Sequence, residues 1–516
     1  MRRVTASTAT DGSGALQPTG PRVASTAGYV AARTLVACGA GLAVASVLAV
    51  LDNGRALLPL VAAALLCLAA GGLLWRRCGV PASLRTASVH TAVLTGWMLL
   101  IGVGAATYLA CGTFDSVELA LVESTTGFTT TALSVLGDIE DQPRGVLLWR
   151  AYTQWLGGLA AVLVVVAVLP SLGVGGLEES SVGADRRRLA LRSPRIAAAA
   201  RRLASGYLVL SAAGIALFLL AGMGPFDAVT YAMTTISTGG FGNHDGSINF
   251  FASARVEWVT AGGMVLGGTN LVLVLAAVRG RMEPLRRSFE LRTYGVVIVA
   301  ASALLVWWTA PAGGLTHESV RHAVFAATSA LSTTGHTVGG WAGWSSGSQV
   351  LLVLLAGMGA MSGAAGGGFR VVRAMVLMGF VRREVVRQLR PRSVVAVKVG
   401  RTTVEETLLG QMVGYQVAWL VLAGAGAVAL AVAGVDLPGA MSGAVSALAT
   451  FGPGLGDLAP GTGEVPRAGS LPSAALLVFA ALTVAGRLEI SPLVVGAATI
   501  ITGAGRESRR ARVRRR

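Results

Sequence analysis

From Tyr29 onward the chain is a succession of apolar segments of about 17–25 residues, each long enough as an α-helix to cross a hydrocarbon core of about 30 Å. They fall near 29–51, 56–75, 89–111, 145–169, 206–222, 254–278, 293–310, 348–380, 411–434 and 471–502. The eighth and tenth are too long for one straight helix, and the eighth contains a glycine cluster. Only 13% of the 516 residues are charged, about half the roughly 25% that a soluble domain carries. The chain therefore reads as an all-α polytopic membrane protein, and disordered, fibrous and disulfide-stapled classes are excluded.

The charge that remains is lopsided, at a net +17, and 35 of the 42 basic residues lie in 1–33, 76–85, 186–202, 279–292, 370–401 and 506–516. Positive-inside bias assigns these stretches, and with them both termini, to the cytoplasm, with an even number of crossings of the cytoplasmic cell membrane. Residues 1–27 have no apolar core and read as a polar tail, not a signal peptide. Seven arginines between Arg506 and Arg516 suit anionic lipid head groups. The positive excess is topology, and no nucleic acid is expected as a partner. Cys38, Cys67, Cys78 and Cys111 show no metal or disulfide spacing and read as buried free thiols. The single lysine, Lys398, follows Val397, so a Walker A loop is absent, and no bound organic cofactor is expected in this chain. His317-Glu318 is followed by His322, one place too late for a zinc-protease motif, and His90, His244 and His336 complete no catalytic cluster.

After two initial spans a unit recurs four times: a spanning helix, about a dozen half-apolar residues, a Thr/Ser/Gly cluster and a second spanning helix. The clusters are Ser124–Phe128, Ile236–Phe241, Leu331–His336 and Ala449–Pro453, and the sequence aligns Gly127, Gly239, Gly335 and Gly452. The short stretches (114–125, 225–237, 319–331 and 437–449) cannot cross a bilayer. Pro225, Asp227, Glu318, Asp436 and Pro438 give three of them the proline or acid that starts a helix entering from outside. Non-helical backbone at membrane depth survives only when buried in protein or lining a water-filled cavity. Four re-entrant pore helices, each followed by a carbonyl-lined turn around a central pore, meet that condition. Their partly negative C-terminal ends favour a cation.

With these residues in view, the four helix–pore-loop–helix repeats resemble the TrkH/KtrB superfamily of potassium transport proteins over nearly the whole chain from about residue 29. The most specific matches are Thr126–Thr131, Leu148–Gly158, Ser237–Phe241 with His244-Asp245, Leu266–Asn270, Gly452–Gly456 and Gly486–Ile490. Two helices before the first repeat resemble the TrkH branch. The resemblance implies potassium as the transported ion and a homodimer whose subunits each carry a pore. It also implies a TrkA-like cytosolic nucleotide-binding regulatory subunit. The chain then divides into a polar tail (1–28), two additional transmembrane helices (29–88), repeat 1 with a cytoplasmic linker (89–205), repeat 2 (206–287), repeat 3 with an intramembrane gate loop (288–405), repeat 4 (406–505) and a basic tail (506–516).

A potassium filter replaces the hydration shell with backbone carbonyls. The expected set is Thr125-Thr126-Gly127, Ser237-Thr238-Gly239, Thr333-Thr334-Gly335 and Thr450-Phe451-Gly452. Serine in place of the first filter glycine goes with sodium permeation in related proteins; four glycines at the aligned positions favour potassium. His336 stands where Phe or Tyr is usual, and Thr450-Phe451 where Asn-Leu is common. Glu123, ending the first pore helix, opposes the helix dipole and either attracts cations or, the favoured reading, braces the filter with hydrogen bonds; Asp245 is placed in the outer vestibule.

Gly357, Gly359, Gly363, Gly366, Gly367 and Gly368 make the eighth span too glycine-rich for a plain helix, and the family counterpart is a gate loop below the filter. Arg487 is read as the one charge inside the bilayer, facing the pore or Glu489; in the family its position supplies a positive barrier. An ion-coupled symporter, with Na⁺ or H⁺ moving alongside potassium, also uses broken helices and is the alternative reading.

Overall fold

Long runs of Leu, Val, Ala and Gly leave the backbone no partner in lipid except itself, and helices follow. The computed structural model describes residues 23–52, 54–78, 86–172, 193–309, 315–393, 395–400, 402–459 and 471–489. Helices α1 (Val23–Leu51) and α2 (Leu57–Arg77) pack on each other, and α1 packs on α3 (Thr86–Ala110). Short α4 (Val117–Thr129) and long α5 (Arg144–Leu172) follow. Next come α6 (Ser193–Leu220), short α7 (Pro225–Ile236) and the pair α8 (Ala254–Gly267) and α9 (Leu271–Val278), bent by 112° at their junction.

Beyond α10 (Glu283–Arg287) lie α11 (Phe289–Thr309), short α12 (His317–Ser332) and α13 (Ser346–Met358). The eighth apolar span is two helices, α13 and α14 (Val371–Leu389), separated by non-helical chain at 359–370. A small antiparallel pair, β1 (Lys398–Val399) and β2 (Thr402–Thr403), leads to α15 (Glu406–Val432), short α16 (Leu437–Ala449) and α17 (Ser473–Arg487). Among the described residues six helices are long and apolar enough to cross a membrane, or seven with the bent pair as one span. The termini, the arginines of 186–192 and 506–516, and residues 490–502 of the tenth span lie outside the described residues.

The short helices begin where local chemistry supplies a cap. Ser116 accepts from the Leu119 N–H, Pro225 stands in the first turn of α7, Thr316 forms a reciprocal capping box with Ser319, and Asp436 accepts from the Gly439 N–H. The first starts three residues later than its apolar pattern suggests, at the Ser116 cap.

Packing closes these elements into a ring. Helix α5 lies against α7, α8 against α12, α13 against α16, and α17 returns to α4. Each short helix is thus held by the inner helix of the preceding unit as well as by its own. Cys38 and Cys67 are buried in the core shared by α1–α5, Cys78 and Cys111 are half-buried, and all four are free.

Candidate functional site

The short helices end in the same way. Thr130, Thr238, Thr333 and Thr450 adopt left-handed φ of 55°, 55°, 58° and 54°, which turns the chain sharply out of the helix. Two residues on stand Ala132, Gly240, Gly335 and Gly452. The glycines have φ of 81°, 83° and 105°, and Ala132 alone lacks a positive φ. These four residues converge. A Cβ on Gly240 would lie 2.5 Å from the Ala132 methyl and overlap the Thr334 carbonyl oxygen. One on Gly335 would overlap the same methyl and lie 2.6 Å from the Phe451 carbonyl oxygen, and one on Gly452 would meet the Ala132 oxygen at 2.5 Å. The Ala132 N–H donates to the Phe451 oxygen at 3.1 Å.

This geometry corrects the sequence alignment in two loops. Thr125, Thr126 and Gly127 are in the last turns of α4, and their carbonyls are already engaged. Thr129 Oγ1 donates to Thr125 O, Thr131 N to Thr126 O and Thr130 N to Gly127 O. Gly127 is small because Thr153 and Phe241 press on it, not because the chain turns there. In the second loop the ring member is Gly240, one residue beyond Gly239, whose carbonyl accepts from Gln154 Nε2 at 2.8 Å. Ser237 and Thr238 precede it in the turn. Thr333-Thr334-Gly335 and Thr450-Phe451-Gly452 stand in the ring as aligned. The ring therefore holds three glycines and Ala132, and the argument from four glycines falls.

A buried network frames the first two turns. Glu123, fully buried, accepts from Arg150 Nε at 2.8 Å, from Ser134 Oγ at 3.0 Å and from the Val135 N–H at 2.8 Å. Arg150 also donates to Ser134 Oγ at 3.0 Å and to the Gly242 carbonyl at 3.1 Å, with Phe241 stacked 4.4 Å from its guanidinium. One turn along α5, Gln154 donates to Gly239 O and accepts from the Phe241 N–H at 3.0 Å. In the third loop His336 is buried, with Nε2 3.0 Å from Thr235 Oγ1, and its carbonyl accepts from Ser329 Oγ at 2.7 Å. Sequence reasoning quoted the segment containing Arg150 and Gln154 without assigning them a role. The available signal was a charge and an amide at i, i+4 within an apolar span.

Outside the ring, Asp245 Oδ1 accepts from the Ile139 N–H at 3.4 Å. His244 sits between Glu140 of the first unit (3.2 Å) and Asp227 at the start of α7 (3.5 Å), stacked on Phe250. Burial alone would lower the His244 pKa, but the Asp227 and Glu140 carboxylates outweigh it and hold the imidazole above its ordinary range.

Beneath the ring lies the 359–370 loop. Gly367 N donates to Thr333 Oγ1 at 2.8 Å, and main-chain bonds tie the loop to the α8–α9 junction: Met361 N to Gly268 O, Ala365 N to Gly267 O and Leu271 N to Gly363 O. Gly357 ends in α13, while Gly359, Gly363 and Gly368 take positive φ. A Cβ on Gly366 would lie 2.5 Å from the Ser332 carbonyl oxygen, and one on Gly367 would overlap the Ala449 carbonyl. The same double approach recurs at Gly157-Gly158 of α5 and at Gly267-Gly268, where a Cβ on the second glycine would lie 2.8 Å from Ser237 and 3.0 Å from Ser332 of the following unit. In the fourth unit Gly486 meets Leu448, and the second glycine is replaced by Arg487.

Arg487, 7% exposed, donates to Ala365 O at 2.7 Å and to Gly157 O at 3.5 Å. Glu489 instead pairs with Arg373 (2.7 Å) and Arg370 (3.6 Å). Arg150, Arg370 and Arg373 are as buried as Arg487, so the expectation of a single interior arginine is also corrected.

An all-helical, multi-pass membrane protein with non-helical turns converging at the ends of short helices belongs to the class of membrane transport proteins, not enzymes. The family model TrkH, described as a cation transport protein, matches residues 60–504, and the chain belongs to that family. It is 33% identical over 384 residues to the Trk system potassium uptake protein TrkH of Halomonas elongata, covering 73% of this chain and 77% of the relative. The protein of the same name from Escherichia coli (strain K12) is 29% identical over 404 residues, covering 76% and 82%. The crystal structure of the potassium transporter TrkH from Vibrio parahaemolyticus superposes with a TM-score of 0.82 at 27% identity, covering 91% of this chain and 98% of that one.

Two outcomes are expected. Arg150→Met leaves Glu123 buried without its cation and lowers stability by about 3–5 kcal/mol. Adding Glu123→Gln recovers part of the loss, measured as Tm of the detergent-purified protein. Because the folded-state pKa of His244 is raised, its contribution is complete below about pH 6.5 and fades as pH climbs through the raised value. The Tm gap between the parent and His244→Gln therefore narrows with rising pH; a gap independent of pH would mean that His244 gains nothing from its charge between Glu140 and Asp227.

Proposed function

We propose that this chain is the potassium-conducting membrane subunit of a Trk-type uptake system. The reading rests on the convergence of Ala132, Gly240, Gly335 and Gly452 with the Thr334 and Phe451 carbonyls among them. In it, the four units are helix–pore-loop–helix repeats around a central pore, preceded by the two additional helices α1 and α2. The filter comprises Thr130–Ala132, Thr238–Gly240, Thr333–Gly335 and Thr450–Gly452, and those of their carbonyls not held by Gln154 (Gly239) or the Ala132 N–H (Phe451) take over the hydration of K⁺. Glu123 and Arg150 fix its geometry, and Asp245 belongs to the outer vestibule.

The glycine-rich loop and Arg487 form the gate: a guanidinium bonded to Ala365 beneath the ring places positive charge on the cation's path. The relatives' names, which speak of a Trk system, support a TrkA-like cytosolic regulatory subunit. A homodimer, cytoplasmic termini and the domain division at 29, 89, 206, 288, 406 and 506 complete the proposal. Coupled movement of Na⁺ or H⁺ is the competing reading, favoured by the 112° break between α8 and α9.

Reconstitution into proteoliposomes tests both. Gly335→Ala drives a methyl into the ring at φ 83°, and K⁺ flux is expected to fall about tenfold or more, a barrier increase near 1.4 kcal/mol. Undiminished flux would sink the filter assignment. Arg487→Ala is expected to raise basal flux, and unchanged flux removes Arg487 from the path. Steady unitary currents in planar bilayers exclude stoichiometric coupling.

A further inference from the structure

The 359–370 loop turns repeatedly through left-handed backbone, which glycine adopts freely and a residue with a side chain does not. Gly359, Gly363, Gly368 and Arg370 have φ of 74°, 77°, 80° and 76°, and the last carries a side chain in a region that disfavours one. Such a loop persists only if its surroundings hold it. Arg370 N-caps α14, but its side chain donates to the Met361 and Ala364 carbonyls and gives the helix start no side-chain cap; the Val371 N–H is taken by Ala360 O, while the Val372 N–H depends on another element.

That element is α11. Glu290, in its first turn, is 4% exposed. Its Oε1 accepts from the Ser362 N–H at 2.8 Å and from the Val372 N–H at 3.3 Å. One oxygen atom thus binds both ends of the loop, ten residues apart, and caps α14 from outside its own chain segment. Among the described residues Glu290 forms no ion pair within 4 Å, and its Oε2 is buried without a hydrogen-bond partner. A buried carboxylate in this state is costly, and what compensates it are charge-assisted bonds from two N–H groups and the positive end of the α14 dipole. None of these contacts reaches the ring of turns. The carboxylate's partners are the loop and the helix that follows it.

We propose that Glu290 is a positioning residue of the gate: its carboxylate clasps the start and end of the 359–370 loop and keeps the loop folded under the filter. The proposal rests on the reading of that loop as a gate. Loss of the carboxylate removes the link between Ser362 and the first turn of α14, so the loop is loosened although its main-chain bonds to Gly267 and Gly268 remain, and α14 loses its external cap. The closed arrangement is weakened while the filter is untouched.

The test compares Rb⁺ and Na⁺ flux into proteoliposomes for the full chain, Glu290→Gln and Glu290→Ala, with size-exclusion profiles and Tm recorded for each. Losing a charge-assisted bond shifts the closed–open balance by about tenfold, so Glu290→Ala is expected to raise basal Rb⁺ flux by that order. Glu290→Gln, which keeps an acceptor oxygen but not the charge, gives a smaller rise and serves alone if the alanine variant does not fold. In both, the Rb⁺-to-Na⁺ ratio stays within about twofold of the parent, a factor worth well under 1 kcal/mol. Parental flux in folded variants overturns the proposal, and so does a change in that ratio, which would make Glu290 a support of the filter. Arg487→Ala run alongside separates the levels: if it raises flux and the Glu290 variants do not, only the Glu290 role fails. If neither does, the gate reading fails.

Discussion

Backbone that leaves a helix inside a membrane must find its hydrogen bonds within the protein, and this requirement governs the architecture. Four short helices end in left-handed threonines at Thr130, Thr238, Thr333 and Thr450. Their unravelled turns are shielded because the inner helix of each unit packs on its own short helix and on the next. Side chains would hold these helices apart. Paired glycines at Gly157-Gly158, Gly267-Gly268 and Gly366-Gly367 let them approach to contact distance. Arg487 occupies the remaining equivalent position, so the one break in the small-residue layer brings a guanidinium against the Ala365 and Gly157 carbonyls.

The Glu123–Arg150 pair obeys the same constraint in a different currency. Full burial of two charges is unfavourable unless every remaining polar group is matched. Ser134, the Val135 N–H and the Gly242 carbonyl match most of them, drawing the first and second turns into one network. Gln154, one turn away on the same face of α5, repeats the arrangement with neutral groups. Rigidity of the ring is thereby built from α5, a helix that also supplies Gly157 and Gly158.

The loop below the ring joins three units. It bonds to the α8–α9 junction through main chain, to Thr333 through a hydroxyl and to Arg487 through a carbonyl. Its ends converge on Glu290. A rearrangement there is felt by the bent helix pair of the second unit as well as by α14, which leads toward the basic stretch at 382–392.

Apolar segment length and the recurrence of short capped stretches by themselves determined a multi-pass helical protein with four short helices between longer ones, because hydrophobic thickness and helix-start chemistry are local properties. The third and fourth turns were legible because the aligned Gly335 and Gly452 are themselves the residues whose positive φ turns the chain into the ring. The first was not. Ser-Thr-Thr-Gly-Phe reads as a turn, yet hydrogen bonding carries α4 through Gly127 to Thr129, and only the packing of Thr153 and Phe241 explains that glycine. Which residue completes the ring, Ala132, and which buried charges pair, Arg150 with Glu123 and Glu489 with Arg373, were decided by tertiary structure. Convergence of distant segments sets distances that no spacing along the chain encodes.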